Sequence, residues 1–255
     1  MKLKTVSWGL GAALFALATP ALVHGAETTT DKPAKKAATT KKSTTKKPRK
    51  TPAARGTAYI RVLHAISDGP SVDVYVSGQK ALSGVGFKTI SDYMPVPSGK
   101  REFKITAAGK TDALLSASKS VTKDKYFTVI AMGTAAKPTL MFQNESTGKD
   151  VAGKARIRIY HLAPDAPAVN VTTPSTRGKD GYATLAKNLP YGKSISKTVA
   201  PMTATLQVRT ADGKIVKEVT GVKLEADKRY GAFAVGKVGA TGAQEFDVVV
   251  AQAAK

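Results

Sequence analysis

The sequence of 255 residues predicts an all-β fold: two tandem antiparallel immunoglobulin-like β-sandwich domains behind a disordered Lys-rich segment. Three observations predict it. One long stretch matches a later stretch at a fixed offset. Short apolar–polar alternations broken by turn residues fill the chain after residue 57, with no sustained helical period. Residues 27–56 have almost nothing to bury.

The self-match defines the organisation. Residues 60–76, IRVLHAISDGPSVDVYV, recur at 157–171 as IRIYHLAPDAPAVNV. Ile60, Arg61, His64, Asp68, Pro70, Val72 and Val74 fall on Ile157, Arg158, His161, Asp165, Pro167, Val169 and Val171 at a constant offset of 97. Two later blocks, 85–99 on 189–203 and 121–133 on 224–236, keep the order while the offset grows to about 103. Three blocks in one order imply two homologous β-sandwich units, expected at 57–150 and 151–255. The growing offset places a longer loop in the second copy at 172–183.

Within each copy, apolar–polar alternation predicts strands at 58–65, 72–76, 101–106 and 126–132, and at 156–162, 205–210 and 230–235. Turn residues at 67–70, 97–99, 108–109 and 212–213 punctuate them. Seven or so short strands in about 95 residues fit a sandwich. Gly221, Leu224 and Tyr230 also sit at the interval of a tyrosine corner. The first copy has Val121 and Phe127 there, with Tyr126 one place off, and so lacks that hydroxyl.

Before the repeats, Lys2 and Lys4 precede an apolar run at 8–22 and small residues ending at Gly25 and Ala26. This is the layout of a secretory signal peptide spanning 1–26. At about 15 residues the run is short for a membrane span of ~20. Residues 27–56 carry ten Lys/Arg against Glu27 and Asp31, a net of +8, and are expected to be an extended, disordered tether. The remaining 199 residues carry 28 Lys/Arg and 16 Asp/Glu, a net of +12. Such charge draws a chain to polyanions. The tether cations Lys35, Lys36, Lys41, Lys42, Lys46, Lys47, Arg49 and Lys50 are the expected contact set for anionic cell-envelope polymers. The same pattern resembles linker-histone tails, which makes nucleic acid the alternative partner. There is no cysteine, so disulfides, thiolate nucleophiles and Cys-ligated zinc are excluded.

Candidate chemistry is sparse. His64 with Asp68 and Asp73, matched by His161, Asp165 and Asn170, is the only recurring polar constellation. A histidine with two carboxylates suits a metal. Asn170 in place of Asp73 suits a turn or ladder better, and the structural reading is preferred for all six positions. No second histidine is available within either unit for a nucleophile–base pair, and no Gly-rich phosphate loop opens a helix. No catalytic residue and no cofactor are expected. Tyr75, Tyr93, Phe103, Tyr126 and Phe127 are the aromatic candidates for a sugar- or base-binding surface, with core placement the commoner fate at strand spacing.

The block RVLHAISDGPSVDVYVSG followed by FKTISDYMPVPSGKREFKI resembles the bacterial domain of unknown function 4397. The resemblance extends over both units and is stronger in the first, because Asn170 replaces Asp73 and no Tyr-Val follows in the second. It implies exported or cell-surface localisation, tandem copies and a β-rich fold, and no catalytic residues. The expected function is a non-enzymatic exported binding or scaffold module with a basic tether. The alternatives are a nucleic-acid-binding protein and a periplasmic enzyme.

Overall fold

Strand β1 (Thr57–His64) buries both of its faces, and this shapes everything around it. The computed structural model describes residues 56–254 apart from 177, 179 and 180. It has β2 (Val72–Val76), β3 (Gln79–Val85), β4 (Met94–Pro97), β5 (Gly99–Ala107), β6 (Ala113–Val121), β7 (Tyr126–Thr134) and β8 (Lys137–Asn144) in the first unit. The second has β9 (Ala155–His161), β10 (Val169–Pro174), β11 (Tyr182–Leu189), β12 (Ser194–Val199), β13 (Met202–Arg209), β14 (Ile215–Leu224), β15 (Arg229–Val235) and β16 (Asp247–Ala253).

The sheets repeat strand for strand. The first unit pairs β4-β1-β7-β8 in one sheet and β3-β2-β5-β6 in the other; the second pairs β12-β9-β15-β16 and β11-β10-β13-β14. The all-β sandwich expected from the sequence is what forms. Within that class, β1 and β7 pair parallel, as do β9 and β15, and the order departs from the immunoglobulin ABED/CFG arrangement. A parallel neighbour needs a long crossover, which β2–β6 supply.

Each sandwich has its own core. Ile60, Val62, Val74, Phe103, Ile105 and Val129 fill the first; Ile157, Ile159, Val171, Leu206, Leu224 and Ala232 fill the second. A third apolar cluster joins them. Leu63, Ala65, Ile130 and Met132 from the first unit pack with Tyr160, Leu162, Phe233 and Val235 from the second, and the Tyr160 and Phe233 rings stack 4.5 Å apart. The outward faces of β1/β7 and β9/β15 therefore form a seam. This is why β7 is buried at seven consecutive positions rather than alternating as the sequence reading had it.

Two boundaries move. Residues 172–183, read as a loop, hold the end of β10 and the start of β11, so the insertion lengthens a hairpin whose connection is 175–181. In the first unit the same connection is only Ser77 and Gly78, at φ of 50° and 85°. The tyrosine-corner contact forms in the second copy, where the Tyr230 hydroxyl accepts the Glu225 N–H at 3.1 Å; Phe127 is simply buried.

Candidate functional site

Five of the six repeat-motif residues, all but Asp165, bond to nearby backbone. His64 ends β1 fully buried. Its Nε2–H donates to the Pro70 carbonyl at 2.9 Å and its Nδ1 accepts the Ile66 N–H at 3.2 Å, bracing the β1–β2 loop. His161 makes the equivalent bond to the Pro167 carbonyl at 3.0 Å. Burial lowers the pKa of both, partly opposed by these carbonyl bonds. Asp68 is exposed and accepts the Ala135 N–H at 3.0 Å; Asp165 is exposed as well.

Asp73 points away from His64's loop and works on a β-bulge. Its Oδ1 accepts the Gly84 N–H at 2.9 Å, and its Oδ2 accepts the Gly109 N–H at 3.1 Å and pairs with Lys80 Nζ at 2.7 Å. The Lys80 bond, then the two amides, hold its carboxyl down at about 2. Asn170 repeats the arrangement: its Oδ1 accepts the Asn188 N–H at 2.8 Å, and its Nδ2 donates to the Thr210 carbonyl at 3.4 Å. Gly84 and Asn188 are both left-handed, at φ of 62° and 48°, where the registers of β2/β3 and β10/β11 shift. The Asp-to-Asn exchange keeps the acceptor that the bulge needs. Among the described residues no cluster of three His, Asp or Glu suits a metal.

Arg61 and Arg156 are likewise internal, while Arg158 is half-buried. Arg61 Nε donates to Thr128 Oγ1 at 3.0 Å and Nη1 to the Gln252 carbonyl at 2.7 Å, while Nη2 lies 3.8 Å from Glu145 Oε1. Thr128 and the Tyr160 hydroxyl donate to the same Glu145 oxygen at 2.7 and 3.1 Å. Burial, then the Glu145 charge, raises the Tyr160 pKa well above the phenol range. Asp150 pairs with Arg229 at 2.6 Å and Arg156 at 3.4 Å. These arginines pin the connection between the sandwiches, so Arg61 and Arg156 present no surface to a polyanion.

What the surface does present is a cation-flanked tyrosine on the matching sheet of each unit. Asp73 and Tyr75 alternate with the core valines of β2, so Tyr75 faces outward, with Lys80 and Lys104 nitrogens 5.4 and 5.0 Å from its ring centre. On the second unit, Arg209 stacks over Tyr182 at 4.6 Å. Arg209 is held by Thr172 Oγ1, the Gly213 carbonyl and Gln207 Oε1. Asn170, Thr184 and Lys187 complete a groove of about 220 Å³ beside it. The sequence reading singled out Tyr75 and missed Tyr182 and Arg209. Tyr182 lay in a segment read as loop, and only the pairing of Pro174 with Tyr182 puts it on the sheet.

The other aromatic candidates divide. Phe103 and Phe127 are core. Tyr93 and Tyr126 form a half-buried cluster with Tyr59, in which the Tyr59 and Tyr126 rings stack at 4.8 Å. The tether lysines, Arg49 and the apolar leader lie outside the described residues.

Residues 58–172 match the model of a protein family described as a domain of unknown function, DUF4397. The likeness to that family therefore covers under half of the chain. The DUF4397 match runs from β1 into β10, covering the first sandwich and the opening strands of the second. No curated protein matches. Among solved structures, the Bacillus anthracis TIE protein is similar at 12% identity and a TM-score of 0.24, over 72% of this chain and 34% of that one. This chain thus spans about a third of that protein's length. A family CBM26 module of Eubacterium rectale Amy13K, solved in complex with maltoheptaose, is similar at 14% identity and a TM-score of 0.27, over 78% of this chain and 98% of that one.

Proposed function

We propose that this protein is an exported, non-enzymatic binding module that the basic segment 27–56 holds against anionic polymers of the cell envelope. The observation that carries the reading is the matched placement of Tyr75 between Lys80 and Lys104, and of Tyr182 under Arg209, on corresponding sheets. A tyrosine ring offers a stacking surface for a sugar, and an adjacent cation answers a carboxylate or phosphate on it. Two such faces on one chain let modest affinities combine along a repeating polymer.

The tether supplies the dense, non-specific part of the attraction, because its net of +8 sits in thirty residues. The test compares the chain lacking 1–26 with one lacking 1–56 for binding to heparin at several salt concentrations. Removing 27–56 is expected to abolish most of the affinity and most of the salt slope, while Tyr182→Ala weakens the remainder. Equal binding by the two chains would assign the polyanion contacts to the sandwiches and leave the tether a spacer. Preference for duplex DNA over an acidic polysaccharide would favour the histone-like alternative.

A further inference from the structure

The two sandwiches differ at one end of the core. In the second, β15 and β16 are joined by residues 236–246, and Phe246, just before β16, is 3% exposed and part of the core cluster. That cluster includes Ala163, Ala166, Val169, Val208 and Ala234. In the first unit, β7 and β8 are joined by residues 135–136 alone, and Pro138, opposite Gly133 as Phe246 lies beside Gly236, puts a smaller, non-aromatic side chain at the corresponding place. Registers make the correspondence explicit: His64 pairs with Ala131 and His161 with Ala234, while Val74 pairs with Ile105 and Val171 with Val208.

At that place the first sandwich has an apolar pocket of about 120 Å³. Its lining includes Ile66, Gly69, Val72, Ile105 and Ala131, the counterparts of the residues clustered with Phe246. Ile66 and Ile105 are larger than Ala163 and Val208 and take up part of the space. His64 also lines it, but both of its ring nitrogens are engaged, so it offers carbon surface only. The mouth carries Leu114, an exposed large apolar side chain. An apolar cavity of about 150 Å³ stays dry and takes up benzene.

We propose that this pocket binds a benzene-sized aromatic ring supplied from outside the chain, in the place that Phe246 fills in the second sandwich. The inference stands apart from the polyanion reading, since it involves neither the tether nor the tyrosine faces. A free aromatic molecule and a phenylalanine of a partner segment are two sources of this one chemistry, and the titration separates them.

The experiment is an NMR titration of the methyl-labelled chain lacking 1–56 with toluene, then with N-acetylphenylalaninamide against N-acetylleucinamide. Saturable shifts confined to the methyls that line the pocket, those of Ile66, Val72, Ile105, Leu114, Leu115 and Ala131, are expected, with one toluene bound per chain. Binding of the phenylalanine amide alongside toluene identifies a peptide-borne ring as a fitting source; toluene alone identifies a free aromatic. Ile66→Phe should remove the site, and Phe246→Ala should open a second one and raise the stoichiometry to two. Shifts that fail to saturate, or that persist unchanged in Ile66→Phe, would overturn the proposal. If Ile66→Phe does not fold, the wild-type map decides: perturbations spread away from the pocket-lining methyls also overturn it.

Discussion

His64 and His161 are charged in the unfolded chain below about pH 6.5 and held neutral in the fold by burial. Their folded values lie below the unfolded one, so the unfolded state binds more protons as pH drops through that range. Stability is therefore expected to fall from pH 7.5 to 5.5, read as the thermal midpoint of the chain lacking 1–56. Replacing both by Gln, which keeps an N–H for the Pro70 and Pro167 carbonyls, should flatten that slope; an unchanged slope would refute the assignment. Asp73 acts in a separate window. Its value of about 2 is below the ordinary 3.8, so its contribution is present above about pH 4 and lost between there and 2. In the sequence, the histidine–aspartate spacing was legible as a repeat. That Asp73 serves a bulge amide rather than its own turn was not legible, because Gly84 comes from a different strand.

The strands that the sequence made visible are almost all central ones. β1, β2, β5 and β7, with β9, β13 and β15, each lie between two neighbours. The strands it left unmarked are mostly edges: β3, β4, β6 and β8 and their counterparts, with exposed runs such as Ser118, Lys119 and Ser120 of β6. An edge strand half in water needs little apolar patterning, and charge there guards against unwanted pairing. The bulges in β3 and β11 are the elements most open to test. A methyl at Gly84 would meet nothing within 4 Å, so Gly84→Ala should cost only its backbone conformation, about 1–2 kcal/mol. Urea unfolding measures this; a loss near zero would show that the bulge relaxes at no cost.

At the scale of the whole molecule the seam decides behaviour. Glu145 is 4% exposed and takes hydrogen bonds from Thr128 of one sandwich and Tyr160 of the other. Removing one partner of a buried charged set leaves the other uncompensated, at about 3–5 kcal/mol. Glu145→Ala is expected to destabilise the chain by that order and to split a single calorimetric transition into two as the sandwiches part. A change under about 1 kcal/mol with one transition retained would show that the apolar seam suffices. By itself the sequence determined the β class, the duplication and the charge asymmetry between 27–56 and the rest, because composition, period and self-similarity are local properties. Only the tertiary structure decided that Arg61 and Arg156 are buried, that β1 and β7 pair parallel, and that one outer face of each sandwich is covered by the other. Those outcomes depend on which sheets meet, and an apolar residue on a strand reads the same whether its own sandwich or its neighbour covers it.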